Sequence, residues 1–191
     1  NQRLQRLEEE LQELQRFMLR HDAEPPASFT ESFSDIASGM RADSDWVQAY
    51  QIVDDGVINH CFPLQGNEAV IGANLHSHPS PEVAEDLRIV MQTSDVRLTG
   101  PVTLIQGGMG LILRDSEDTP NHPDRSVAIV VNLDPFLAEA GILRTHDLWR
   151  IAIRRIADSP FFGSPEVFET QPEIVEFQYL NQVWQLAAVP S

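Results

Sequence analysis

Cys61–Gly72 (CFPLQGNEAVIG) and Leu98–Arg114 (LTGPVTLIQGGMGLILR) decide how this chain folds. Both are apolar, strand-like runs broken by glycine, and a short helix pattern lies between them. Where side chains are missing, a ligand or a loop can approach the backbone closely. The span Tyr50–Arg114 therefore reads as a glycine-punctuated sheet built around a cavity. No nucleophile and no complete set of metal ligands accompanies it, so binding is expected ahead of catalysis.

Outward from this block the pattern is helix first, then hairpins. Leu4, Leu7, Leu11, Leu14 and Met18 recur at alternating spacings of three and four among Glu, Gln and Arg, which is an a/d seam. Two readings stay open for it: a dimer stalk, in which the g-position Arg3 of one helix meets Glu8 of another, and a helix packed on its own sheet. Pro25-Pro26 ends that helix, because proline lacks the amide donor and disfavours helical residues before it. Thr30 is expected to cap a second helix carrying Phe33, Ile36, Ala37 and Met40. A strand over Trp46–Val53 turns at Asp55-Gly56 into Val57–Phe62. Ser80-Pro81-Glu82 opens a helix to about Thr93. Strands follow at Leu98–Gln106, Met109–Leu113 and Ser126–Leu133, then a helix from Asp134-Pro135 to Ala140. The rest offers a strand at Trp149–Ile156, a short helix from Ser164-Pro165, and closing strands at Ile174–Tyr179 and Val183–Val189. The expected class is α+β, PAS-like.

Composition limits the partners. The 191 residues carry 29 acids against 13 basic residues, all Arg, for a net charge of −16. Nucleic acid is excluded, since its phosphates would be repelled, and an anionic membrane surface is disfavoured likewise. No run approaches the ~20 apolar residues of a membrane span. The single Cys61 can form no internal disulfide.

His76-Ser77-His78-Pro79 is the strongest catalytic candidate. Two histidines at i, i+2 on an extended segment can chelate one zinc, and HSHP resembles the core of the JAMM metalloprotease motif. That motif requires Ser and Asp at fixed places after the second His, and here those places hold Asp86 and Ile89; Ser94-Asp95 lies too far along. An Ile cannot ligate zinc, so no metal and no cofactor is expected. Gln106-Gly107-Gly108-Met109-Gly110 lacks the strand-to-helix setting of a phosphate loop and reads as a hairpin turn.

Five blocks in order carry a family resemblance: FPLQGNEAVIG, LTGPVTLIQGGMGLIL, VVNLDPFLAEAGI, FFGSPEVF and WQLAAVP. Together they resemble the CHASE family, extracellular sensor domains of receptor histidine kinases and nucleotide cyclases. The resemblance implies a stalk helix and linker over residues 1–27, a membrane-distal PAS-like ligand-binding module over 28–142 and a membrane-proximal PAS-like module over 143–191. It also implies a homodimer through the first helix, flanking transmembrane helices in a longer protein, and a periplasmic location. In the cytokinin-binding members an acidic side chain holds the ligand's base; aligned on LTGP, that position is Asn74, the sensitive Thr is Thr99, and the strand contacts are Ile105 and Arg114. Gln106 and Tyr50 are expected as further wall residues. Asn74 loses the charge-assisted bond and Arg114 adds a cation, so the expected ligand is a small molecule, more anionic than a purine.

Overall fold

The computed structural model describes residues 2–41, 44–116, 119–142 and 148–191. The chain divides into two compact units, Asn1–Leu133 and Asp134–Ser191; the module boundary expected at 142/143 adjoins residues 143–147, which lie outside the described residues.

The first unit opens with α1 (Gln2–His21) and α2 (Pro26–Arg41), followed by β1 (Val47–Asp54) and β2 (Val57–Phe62). After α3 (Pro81–Thr93) come β3 (Arg97–Thr103), β4 (Met109–Ser116) and β5 (Arg125–Asn132). The strands form one antiparallel sheet in the order β2-β1-β5-β4-β3. Asp55 and Gly56 both take positive φ, 48° and 74°, which suits the tight turn between β1 and β2. Gly107 and Gly108 do the same, at 95° and 79°, between β3 and β4. The central β5 is a continuous apolar run because helices cover both faces of the sheet.

α1 packs on β4 and β5. Leu7, Leu11, Leu14, Phe17 and Met18 are buried there, so the leucine seam is taken up by the chain's own sheet and not by a second helix. Burial of this stripe is what holds a helix whose other faces are polar. At its end Asp22 accepts hydrogen bonds from Thr119 Oγ1, from the Asn121 amide (3.0 Å) and side chain (2.8 Å), and shares one with His122 Nδ1 (2.9 Å). α2 begins four residues before the expected cap. Pro26 stands at the first helical position, where its fixed φ and missing amide cost nothing, while Thr30 Oγ1 donates back to Pro26 O at 2.9 Å.

The opposite face of the sheet carries α3. Ala49, Val53, Ile112, Ala128 and Val130 meet Val83 and Leu87 of α3 and Val70 and Leu75 of the preceding 3₁₀ turns. β3 ends at Thr103, short of the expected Gln106, because Leu104–Gly108 already forms the hairpin turn, closed by Leu104 N donating to Gly108 O and Gly107 N to Leu104 O.

α4 (Leu133–Glu139) leads from β5 into the second unit, a three-stranded antiparallel sheet of β6 (Trp149–Arg155), β7 (Glu173–Tyr179) and β8 (Gln182–Pro190) in the order β6-β8-β7. Ala152, Ala187 and Val189 pack with Val167 and Phe168 of the 3₁₀ turn Pro165–Glu169. Gly163 has φ of 76°, and a Cβ there would lie 2.0 Å from Ile151 O, so only glycine fits. The architecture is α+β, with two helices before the first strand, α3 between β2 and β3, and both sheets antiparallel.

Candidate ligand-binding site

Alternation along β4 sends Leu111 and Leu113 toward α1, and Ile112, Arg114 and Ser116 beneath α3. Ser116 Oγ anchors that helix by donating to Val90 O at 2.9 Å. Asp86 shares the inner face of α3 with Val83, Leu87 and Val90 and is buried. One of its oxygens accepts from Arg97 Nε at 2.6 Å, the other from Thr99 Oγ1 at 2.7 Å. The carboxylate is thereby satisfied by two β3 residues.

Arg114 is not. It is 1% exposed, and the one hydrogen bond of its side chain among the described residues runs from Nη1 to Ser126 Oγ at 3.5 Å. A guanidinium has five donors. Burial lowers its pKa to about 10, with the charge of Asp86 working the other way. The fold thus holds a buried cation between sheet and helix, with the Asp86 charge favouring it and one long side-chain hydrogen bond.

A cleft of about 640 Å³ runs between the start of α3, at His78, Ser80 and Glu82, and the β3–β4 hairpin, at Pro101–Ile105 and Met109; Arg114 is not among its lining residues and pairs with Arg97 at the other end of β3. Burial keeps the His78 imidazole below its ordinary pKa, against the hydrogen bond from the Ser80 amide, with a smaller push in the same direction as burial from the Arg114 charge. Glu82 Oε1 accepts from the Gly100 amide at 3.2 Å and ties the first turn of α3 to β3. Gly100 has φ of 109°, and a Cβ there would fall 2.7 Å from Gly110 O, which explains the glycine in LTGP.

Of the residues expected from sequence, Thr99 donates to Asp86, Arg114 is buried on the same face of the sheet and bonds Ser126, and Ile105 lines the cleft, 38% exposed. Gln106 sits in the hairpin turn with its Nε2 buried and without a partner. Asn74 is exposed and caps the turn Leu75–Ser77, its Oδ1 accepting from the His76 amide at 2.9 Å. Tyr50 requires a correction. It lies one position from Ala49 and Gln51 in β1 and so faces the other side of the sheet, where its hydroxyl donates to Glu10 of α1 at 2.8 Å. Burial first, and then Glu10, push that phenol above its ordinary pKa.

His76 and His78 also have separate occupations. The His76 ring covers Gly56, where a Cβ would come within 2.3 Å of it, and His78 Nδ1 accepts from the Ser80 amide at 3.0 Å. Among the described residues no three His, Cys, Asp or Glu gather as a metal cage. Burial pushes the Cys61 thiol up to about 12, away from reactive thiolate. Asp86, Arg97 and Ser126 were not among the expected site residues. The signal for Asp86 was present: an acid three after Val83 and four before Val90, on the apolar stripe of α3.

No family model matches this sequence, and no curated protein matches it. Solved structures do. An extracellular ligand-binding receptor from Desulfohalobium retbaense is 15% identical, with a TM-score of 0.64 over 96% of this chain and 39% of that one. The ligand-binding domain of the Pseudomonas aeruginosa amino acid chemoreceptor PctB, in complex with L-Arg, is 11% identical, with a TM-score of 0.62 over 97% of this chain and 84% of its own. That of PctC from the same organism, in complex with GABA, is 10% identical, with a TM-score of 0.64 over 95% and 88%. The fold is that of extracellular ligand-binding sensor domains. This chain spans well under half of the Desulfohalobium receptor chain and most of the two chemoreceptor domains.

Proposed function

We propose that this chain is the extracytoplasmic sensory part of a membrane receptor, and that it binds a small anionic molecule beneath α3 with the anion on Arg114. The observation that carries the proposal is the buried guanidinium itself: 1% exposed and bonded to a single hydroxyl at 3.5 Å. A buried cation kept short of acceptors is costly unless something supplies them. A carboxylate or phosphate entering by the His78–Ile105 cleft would do so, with bidentate geometry available. Thr99, held by Asp86, Ile105 and Gln106 would line the same ligand, and Asn74 would stand near its entrance.

The order of sequence blocks supports the CHASE type in particular, with a substitution of Asn74 for the family's acid that suits an anion better than a base. A receptor of this type is periplasmic, flanked by transmembrane helices, and passes its signal to a histidine kinase or nucleotide cyclase outside this chain; the domain itself performs no catalysis. Its homodimer through α1 would have to use the outward stripe Gln5, Glu9, Gln12, Arg16 and Leu19, since Leu7, Leu11 and Leu14 face inward. Ligand must bind one arrangement of sheet and α1 more tightly than another for any signal to pass.

The test is a thermal-shift screen of carboxylates, amino acids and phosphate esters on the purified chain. A ligand at ~100 times its dissociation constant should stabilise by roughly 2.7 kcal/mol. Stabilisation by neutral purines with no response to any anion would overturn the assignment.

A further inference from the structure

An open sheet edge offers unpaired amides and carbonyls to any strand that meets it, and folds blunt such edges with bulges, prolines or covering segments. The edge strands of the two sheets are β2, β3, β6 and β7. β2 is covered at its start, where Ile58 N donates to Ala73 O and Gly72 N to Ile58 O, and its register against β1 shifts between Ile52 and Val53. β3 contains Pro101 and a register shift between Thr99 and Val102, and its Gly100 amide is taken by Glu82. Along β6, Ile153 N donates to Phe162 O at 2.9 Å and Phe161 N to Ile153 O at 3.0 Å.

β7 has none of these protections. Its pairing with β8 runs without a shift from Glu173 opposite Ala188 to Tyr179 opposite Gln182. Among the described residues no backbone hydrogen bond reaches its outer side. The two-residue turn Leu180-Asn181 makes Tyr179 and Gln182 a hydrogen-bonded pair. By alternation the amides and carbonyls of Ile174, Glu176 and Gln178 then point away from β8. The same alternation carried across β8 turns the Ile153 amide outward, which is where it meets Phe162. Ile174 and Val175 are 47% and 60% exposed, two neighbouring apolar side chains on opposite faces of this edge.

The central acid of β7 does not guard it. Glu176 Oε2 accepts from Gln185 Nε2 at 3.2 Å and Gln185 Oε1 from Arg154 Nε at 3.0 Å, which draws that carboxylate across β8 and away from the edge. We infer that β7 is a self-association edge: two copies of this chain pair their β7 strands antiparallel about a two-fold axis at Val175. The outward phase restricts the registers. Centring on Glu176 opposes two carboxylates, and centring on Phe177 uses a ring already packed on Trp184 at 5.7 Å. Centring on Ile174 or Gln178 runs past the end of the strand. Centring on Val175 sets that side chain against its own copy, Ile174 against Glu176 and Glu173 against Phe177, with no like charges opposed. Because Phe161 and Phe162 cover β6, the joined sheet has no open edge left, and the assembly closes as a dimer. This edge depends neither on the receptor reading nor on Arg114.

The experiment is sedimentation equilibrium of the full chain over a concentration series reaching ~1 mM, with residue-resolved amide hydrogen exchange on the same samples. The mass should rise from monomer towards dimer, and the Ile174 and Glu176 amides should gain protection as it does. Val175→Lys, at an exposed position, opposes two cations on the axis and should weaken association by about tenfold or more. Ile174→Pro removes an amide that β8 does not use and should do the same. Protection of the Ala152 and Ala187 amides reports that the sheet is folded in each variant, and Val175→Lys alone decides if Ile174→Pro is not. A chain that stays monomeric throughout overturns the inference. So does a dimer that Val175→Lys leaves intact, or one whose newly protected amides lie on α1.

Discussion

Replacing Arg114 by Met should separate a ligand anchor from a structural ion. If Arg114 existed to neutralise Asp86, its removal would strand a buried charge at a cost of about 3–5 kcal/mol. The geometry says otherwise. Asp86 keeps Arg97 at 2.6 Å and Thr99 at 2.7 Å without help from Arg114, and the 3.5 Å contact to Ser126 is too long to contribute much. Taking a guanidinium with one long side-chain hydrogen bond out of the interior removes a desolvation cost of several kcal/mol, and Met fills a similar volume. Arg114→Met should therefore unfold in denaturant within about 1 kcal/mol of wild type, or later than wild type. Its response to the stabilising anion should fall sharply, since two charge-assisted bonds at ~1.5–3 kcal/mol each amount to at least a hundredfold in affinity. Chemical denaturation and titration calorimetry on the same preparations measure both. A variant destabilised by more than ~3 kcal/mol that still binds the anion normally would show that Arg114 serves the fold.

Leu14→Ala should cost about 3 kcal/mol in denaturant unfolding, because Leu14 is fully buried on the sheet, and should leave the elution volume unchanged; loss of a dimer without loss of stability would restore the intermolecular seam. Gly163→Ala should destabilise the Asp134–Ser191 unit by upwards of ~1–3 kcal/mol, since the new Cβ overlaps Ile151 O at positive φ, and a near-neutral result in that unit's hydrogen exchange would contradict the turn. Although burial raises it, hydrogen bonds from His122, Thr119 and Asn121 hold the Asp22 carboxyl well below the ordinary carboxylate range. Its contribution is therefore present above the unfolded value of ~3.9 and lost as pH falls through the folded one. The melting-temperature gap between wild type and Asp22→Asn should be widest near neutrality and close in acid well below pH ~4; a gap that is the same at all pH values would refute the assignment.

Much of this fold was legible because its signals are local. Asp55-Gly56, Gly107-Gly108 and Ser80-Pro81 fix turns and a helix start through backbone preferences that no distant contact overrides. The leucine stripe of α1 was equally plain, but its partner was not: an a/d seam reads the same against a second helix or a sheet, and only the burial of Leu7, Leu11 and Leu14 on β4 and β5 decides. The site was legible in part. Thr99 and Arg114 could be placed on neighbouring strands, yet the bond from Thr99 to Asp86 depends on α3 crossing that face, which is a tertiary fact. Tyr50 was misplaced for a related reason, since β1 is buried on both faces and its apolar run does not say which residue looks which way.

The central claim is that a small anion sits on Arg114 beneath α3. A crystal structure of the chain soaked with the best ligand from the screen tests it most directly. Sensing through Arg114 requires an anionic group of that ligand within ~3 Å of the guanidinium nitrogens, with Asp86 still bound to Arg97 and Thr99. Ligand density elsewhere, with Arg114 bonded only to Ser126, would contradict it.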